Sequence, residues 1–384
     1  MSPLRVAVIG GAQYDQVKSV IAAFTAATGR DVEVAFRGDH VALNQHLGIA
    51  LSSGDTYDLV STHSKYAPSQ AAWLTPLDEL LSADEFASFV PGAVQLCRVD
   101  GRLWSLPRNI DARLLFVNRD LVDDDWSPTS WPHLLESAME FTKRTAHAAF
   151  AFPTRDSGLF GTFYELTAAF GGSLFDSAGA PCLDSSEAEA ALAWMVDACS
   201  GSRVTPARMV TDEWYFDEIS SGFRSGAVAM IGDWPGYYSL LSADPSMKDR
   251  VRVLRYPPGV DQRRYVYAGC HSWAIPASAA DVGASLELLR FLTSQQAGRV
   301  DAAAGMVPVR VDVSMPVEHA LDAQRAELLE ATVATDLLTF PSMTAFPAIE
   351  DAAAASLRSA LLGESDVHSA VAAAQADAMF ALGL

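Results

Sequence analysis

The chain has few cysteines, little positive charge and no long apolar run. Its four cysteines are widely spaced: Cys97, Cys182, Cys199 and Cys270. Because they form no CxxC pair and do not cluster with histidine, we expect no zinc site and no cofactor. Lysine and arginine total 27 against 47 aspartate and glutamate, a formal net charge of −20, so we expect no nucleic-acid partner. No window of about 18 apolar residues occurs, and we expect no membrane insertion of this chain.

The length of 384 residues suits two domains. Near the start, apolar periodicity predicts alternating strands and helices at Arg5–Ile9, Gln16–Thr28, Val32–Phe36, Val41–Leu51 and Tyr57–Val60. This order predicts parallel strands joined by right-handed crossovers, and therefore the α/β class.

Polar side chains follow each of these three strands. They are Gln13, Tyr14 and Asp15 after the first, Arg37, Asp39 and His40 after the second, and Thr62 to Tyr66 after the third. Ligands of open α/β sheets bind beyond the carboxyl ends of the strands. The three sets together therefore predict a binding edge.

The turn Gly10-Gly11-Ala12 leaves a different class of protein open. A nucleotide-dependent oxidoreductase would place a dinucleotide on this turn, with Glu33 as the ribose carboxylate. The GxGxxG spacing is missing, and a tight strand-to-helix turn is the simpler interpretation.

The segment Gly101–Leu121 contains two strand-like runs separated by Pro107. Proline biases its neighbour toward extended geometry, so we expect this segment to cross between two lobes. Four polar residues lie on the crossing: Arg108, Asn109, Asp111 and Arg113. They could pair with one another in an interdomain seam, or they could line a cleft, which we favour.

An ordered series of short motifs extends from about residue 5 to 310. The motifs are Phe24–Gly29, Ser53–Leu59, Trp73–Leu77, Gly101–Pro107, Phe116–Leu121, Pro128–Trp131, Phe170–Gly172, Phe223–Trp234, Pro257–Gly259 and Val307–Arg310. In this order the chain resembles the extracellular solute-binding proteins of ABC importers, in the sugar-binding group that includes maltose and trehalose binders.

The resemblance implies a two-lobe periplasmic-binding-protein fold with a ligand cleft and three hinge crossings. The crossings are expected at Pro107–Arg113, Val266–Ile275 and near Arg310. The N-terminal lobe would comprise 1–108 plus 272–310, and the C-terminal lobe 109–271 plus 311–384.

The resemblance also implies a function. The chain would be a non-enzymatic, monomeric substrate-binding component that captures a mono- or oligosaccharide by hinge closure and delivers it to a membrane permease. Its location would be periplasmic or extracellular and membrane-associated. The sequence has no recognisable signal peptide, and we expect that one has been removed.

The ligand contacts implied by the resemblance come from loops of both lobes and from the crossings. They are Gln13, Tyr14, Arg37, Asp39, His63, Lys65, Asn109, Asp111, Phe160, Trp234, Gly269 and His271. Trp234 would stack on a sugar face, and Asp111 would accept hydrogen bonds from hydroxyls.

Two narrower alternatives stay open. The cations Arg37, Lys65, Arg108 and Arg113 would suit an anionic polyol such as a glycerophosphodiester or a uronate. A sensory protein that docks on a membrane receptor would share the same fold.

Overall fold

Two main β-sheets with flanking helices form the framework of the protein. The computed structural model describes residues 2–200 and 204–384. The strands are β1 (Leu4–Ile9), β2 (Val32–Gly38), β3 (Leu59–His63), β4 (Arg98–Val99), β5 (Arg102–Leu103), β6 (Leu106–Asp111), β7 (Leu114–Asn118), β8 (Ala148–Ala151), β9 (Val228–Asp233), β10 (Val251–Leu254), β11 (Val266–Tyr267), β12 (Gly269–Ala274), β13 (Val307–Pro308) and β14 (Leu337–Leu338).

The helices vary from one turn to more than four. They are α1 (Val17–Thr28), α2 (His40–Ser52), α3 (Ala67–Gln70), α4 (Ala83–Ala87), α5 (Pro91–Leu96), α6 (Trp131–Arg144), α7 (Asp156–Ala169), α8 (Ser186–Cys199), α9 (Phe216–Arg224), α10 (Tyr238–Ser242), α11 (Pro245–Arg250), α12 (Val282–Leu292), α13 (Gln295–Ala303), α14 (Ala320–Thr335), α15 (Phe346–Leu361) and α16 (Val367–Ala381). Among the described residues, no helix is both long and apolar enough to cross a membrane.

The first sheet has the strand order β13-β6-β12-β3-β1-β2. Strand β1 pairs in parallel with both β2 and β3, which confirms the predicted parallel arrangement. Strand β12 runs antiparallel between β3 and β6. The third strand extends to His63, so Thr62 and His63 lie within the sheet rather than in the loop beyond it.

Local sequence signals explain where several elements begin and end. Asp39 caps α2, its carboxylate accepting a hydrogen bond from the Ala42 amide at 2.9 Å. Gly29 ends α1 with φ of 71°, a left-handed conformation that glycine adopts without strain. Asp100 and Gly101 both have positive φ, which suits the two-residue hairpin turn between β4 and β5.

The second sheet has the order β10-β7-β9-β8. The chain passes from the first sheet to the second between β6 and β7. It returns to the first sheet at β12, directly after β11, which pairs with β14 in a small separate sheet. After β13 it leaves again for α14, which packs against β10. These passages lie where the hinge crossings are predicted. The predicted lobe limits at 108/109 and 271/272 fall inside β6 and β12, and hinge motion about them stays a prediction.

The alanine-rich segment after residue 345 forms two helices, α15 and α16. Gly363, with φ of 73°, separates α15 from α16, and Asp366 caps α16 by accepting a hydrogen bond from the Ser369 amide at 2.9 Å. Helix α15 packs on both α7 and α8. The tail therefore belongs to the core beside the second sheet.

Phe160 lies in this core, not at a ligand surface. Its side chain is 0% exposed, and its ring meets Phe346 of α15 edge to face with centroids 6.0 Å apart. Helix α7 is buried on every side from Gly158 to Ala169. Helical periodicity therefore could not distinguish a core-facing side from a ligand-facing side.

Replacing Phe160 by alanine should destabilise the protein without a specific effect on ligand affinity. Removing a buried phenylalanine side chain costs about 3–5 kcal/mol, so thermal unfolding should show a clearly lower Tm. Phe380→Ala is the matched control, because that side chain is 84% exposed. Equal Tm values for the two variants would contradict the core position of Phe160.

Candidate functional site

A cavity of about 430 Å³ is lined by residues that follow strands of both sheets. Most of the predicted ligand contacts lie on its wall: Gln13, Tyr14, Asp39, His63, Lys65, Asp111, Trp234, Gly269 and His271. The structure therefore brings together residues that are far apart in sequence. Their role in binding stays a prediction at this point.

Three predicted contacts do not line the cavity. Arg37 is half exposed and forms an ion pair with Asp15. Asn109 is buried and donates a hydrogen bond to Asp111 Oδ1 at 2.8 Å, so it positions that carboxylate. Phe160 is enclosed in the core, as described above.

The centre of the site is Asp111, which lies between two histidines. Its Oδ2 is 3.3 Å from His63 Nε2 and 3.4 Å from His271 Nε2. The three residues come from the adjacent strands β3, β12 and β6, and His271 pairs in register with His63. Strand register thus fixes the cluster before any ligand is present.

The cluster continues to Tyr14 and His40. Tyr14 Oη lies 2.7 Å from His271 Nε2, and His40 Nε2 lies 3.2 Å from the same nitrogen. Burial lowers the pKa of His40, His63 and His271 well below the usual value, so these imidazoles are neutral at physiological pH. Burial also raises the pKa of the Asp111 carboxyl.

His63, Asp111 and His271 each offer one potential metal-ligating atom, and these atoms lie within 4.8 Å of one another. This spacing is short enough for all three to contact one metal ion. The Lys65 amide, however, donates a hydrogen bond to His63 Nδ1 at 3.1 Å. The proton of neutral His63 is therefore on Nε2, directed toward Asp111. A metal ligand needs a lone pair on that nitrogen. We interpret the cluster as a hydrogen-bonded chain that orients Asp111.

The positive charge of Lys65 is paired with a buried carboxylate at the wall of the cavity. Its Nζ lies 2.5 Å from Glu350 Oε2, and both side chains are buried. Tyr267 donates a hydrogen bond to the other oxygen of Glu350 at 2.8 Å. Glu350 belongs to α15, so the C-terminal tail contributes to the site.

The wall on the side of the second sheet is aromatic. Tyr215 and Phe216 have ring centroids 4.5 Å apart, and Phe216 meets Trp234 edge to face at 5.5 Å. The Arg113 guanidinium lies 4.8 Å from the Trp234 ring centroid and forms an ion pair with Glu165 at 2.7 Å. Trp234 is thus held in place by its neighbours while it lines the cavity.

Several lining residues were not predicted as ligand contacts. They include His40, the segment Arg155–Ser157 at the start of α7, the segment Tyr215–Glu218 at the start of α9, Tyr237 and Tyr267. Two aromatic residues followed by two acidic ones, as in Tyr215–Glu218, is a pattern that could have drawn attention. His40 belongs to the polar set after the second strand that predicted the binding edge, whereas Tyr267 gives no comparable signal in the sequence.

The family model of the bacterial extracellular solute-binding proteins matches residues 19–327. The chain belongs to this family. Among solved structures, maltose-bound MalE3 of T. maritima is 25% identical to this solute-binding protein, with a TM-score of 0.90 over 98% of this chain and 99% of that one.

Two further structures show the same fold at lower identity. An ABC transporter solute-binding protein of Thermotoga lettingae, bound with α-D-tagatose, is 23% identical with a TM-score of 0.86 over 99% of this chain and 100% of that one. The GacH receptor of Streptomyces glaucescens, solved unliganded and with acarbose, is 19% identical with a TM-score of 0.83 over 100% of this chain and 99% of that one. The predicted two-lobe α/β fold class is thereby confirmed.

Substituting Gly269 by alanine in this solute-binding protein should displace His63. A Cβ at position 269 would lie 2.2 Å from His63 Cε1 and 2.4 Å from Nε2, so the ring must move. Overpacking of this kind costs about 1–3 kcal/mol, measurable as a lower midpoint in urea. Gly92→Ala is the control, since a methyl group at that position would meet nothing within 4 Å. Unchanged stability of Gly269→Ala would contradict the close contact.

Asp233, beside Trp234, should make stability depend on pH. Burial raises the pKa of this carboxyl to about 7, above its value in the unfolded chain of about 3.9. The folded protein therefore holds a proton that the unfolded chain has released, and stability rises as pH falls through 7. Asp233→Asn should raise Tm relative to wild type at pH 8, and the gain should shrink by pH 6. A gain of the same size at both pH values would contradict the raised pKa.

Proposed function

We propose that the protein is the substrate-binding component of an ABC importer that captures a mono- or oligosaccharide in this cavity. The observation that carries the proposal is that the cavity has a hydrogen-bonding wall opposite an aromatic wall. Hydrogen-bonding groups centred on Asp111 and His271 line one side, and the rings of Phe216 and Trp234 line the other. The captured sugar would then be delivered to a membrane permease.

A sugar needs both kinds of wall. Its hydroxyls require hydrogen-bonding partners, and leaving one unpaired in a closed site costs about 1–3 kcal/mol. Its C–H faces pack on aromatic rings. In this assignment Asp111, His271 and Tyr14 bind hydroxyls, and Trp234 packs against a ring face.

The comparisons support the same class of ligand. The three solved relatives described above were determined with maltose, α-D-tagatose or acarbose. Family membership supports an extracellular site of action, in the periplasm or at the outer face of the membrane.

Closure follows from the position of the cavity. Its lining comes from loops of both sheets, so a ligand that contacts both walls favours the state in which they are close. The three passages of the chain between the two sides are the parts that would bend.

The anionic-ligand alternative receives no support from the charges. All four cations that suggested it are paired with carboxylates: Arg37 with Asp15, Lys65 with Glu350, Arg108 with Asp301, and Arg113 with Glu165. The last three pairs are buried. None of these cations offers a free charge to a phosphate or a carboxylate.

A thermal-shift screen against neutral, amino and acidic sugars and NAD(P) tests the proposal. A ligand at a hundred times its Kd adds about 2.7 kcal/mol of stability. A sugar that raises Tm should bind on the order of tenfold to hundredfold more weakly to Trp234→Ala, because central aromatic contacts dominate binding energy. Trp104→Ala is the control, since Trp104 does not line the cavity. Stabilisation by NAD(P) alone would overturn the proposal.

A further inference from the structure

The charged side chains on the cavity wall are mostly carboxylates. Five acidic residues line it against two basic ones: Asp39, Asp111, Asp156, Asp217 and Glu218 against Lys65 and Arg155. The histidines of the wall are neutral, as described above. The wall therefore carries an excess of negative charge.

Both basic residues are already engaged. Lys65 is buried against Glu350, a further carboxylate that adds to the negative total behind the wall. Arg155 forms an ion pair with its neighbour Asp156 and stacks on the Tyr215 ring at 4.4 Å. Among the described residues, neither forms an ion pair with Asp111, Asp217 or Glu218.

The wall offers several hydrogen-bond acceptors with free capacity. Gln13 Oε1 is buried and has no partner among the described residues. Asp217 accepts one hydrogen bond from Tyr237 Oη at 2.6 Å, and Glu218 accepts one from the Tyr215 amide at 2.9 Å. A carboxylate has about four acceptor positions, so both can accept more. A matching ligand group is rich in donors.

The aromatic wall favours the same kind of group. Tyr215, Phe216, Trp234 and Tyr237 all line the cavity, next to Asp217 and Glu218. The faces of aromatic rings attract cations, most strongly where water is excluded. An ammonium group carries three donors and no acceptor, which suits both the rings and the carboxylates.

The free energy of closing the cavity should differ between a positively charged sugar and a neutral one. When the two walls approach, carboxylates lose water, and an uncompensated charge in a dry site is costly. A neutral sugar supplies hydroxyl donors but leaves the excess charge. We propose that the ligand is a cationic amino sugar whose ammonium group lies among Asp111, Asp217 and the aromatic wall. This inference rests on the proposed function as a sugar binder.

Isothermal titration with matched sugars tests the charge directly. The probes are glucose, glucosamine, N-acetylglucosamine and glucuronate, the corresponding galactose and mannose series, and cellobiose with chitobiose in its free-amine and acetylated forms. The free amine should bind at least tenfold more tightly than its neutral counterpart, acetylation should remove the advantage, and the uronate should bind most weakly.

The possible outcomes separate this inference from the proposed function. If neutral sugars bind as tightly as their amines, or more tightly, the cationic ligand is refuted while the sugar-binding proposal stands. If no probe binds, both are refuted. The amine advantage should also fall as salt is raised from 20 to 500 mM, because screening weakens charge pairing.

Single substitutions test which carboxylates recognise the positive charge of the ligand. Asp111→Asn and Asp217→Asn keep a hydrogen-bond acceptor but remove the charge, so each should reduce the ratio of amine to neutral affinity. Asp249→Asn is the matched control, because this exposed residue pairs with His319 at 3.0 Å and does not line the cavity. A ratio unchanged in both cavity variants would show that these carboxylates do not recognise the charge, and would overturn the inference.

Discussion

Three cations near the cavity are removed from water, and each depends on one carboxylate from a distant part of the chain. Lys65 pairs with Glu350, Arg108 with Asp301, and Arg113 with Glu165. Breaking a buried pair by removing one partner costs about 3–5 kcal/mol. The pairs therefore fix how β3, β6 and the first passage between sheets meet α15, α13 and α7.

This use of the cations explains the character of the cavity. Positive charge is committed to holding helices against the strands, so the surfaces left for a ligand are carboxylates, neutral imidazoles and aromatic rings. The arrangement of β6, β12 and β3 then places Asp111 between His63 and His271. The same distribution of charged residues therefore stabilises the packing of helices on strands and determines which side chains face the ligand.

The sequence predicted the parts of the structure that depend on local signals. The parallel strands β1 to β3 followed from the apolar periodicity and from the alternating order of strands and helices. Tyr14, Asp39 and His63 were found because the carboxyl ends of parallel strands meet at one edge. Phe160 was misplaced in the cavity, because α7 is buried all round and its pattern contains no exposed side.

The sequence could not predict contacts between residues that are far apart in the chain. Nothing near Lys65 in the chain identifies Glu350, 285 positions later, as its counter-charge. The aromatic and acidic segment Tyr215–Glu218 likewise has no strand before it to mark it as part of a binding edge. These contacts arise from the way α9 and α15 pack, which is a property of the whole fold.

The position of Glu350 has a consequence for the order in which the protein matures. Chains emerge with the N-terminal part first, so β1 to β3 and the loop carrying Lys65 are made long before α15. Until α15 docks, Lys65 lacks the carboxylate of Glu350 and cannot be buried favourably. The binding surface is therefore completed only after α15 has been made and has docked, and a nascent chain that lacks α15 has no finished site with which to trap a sugar.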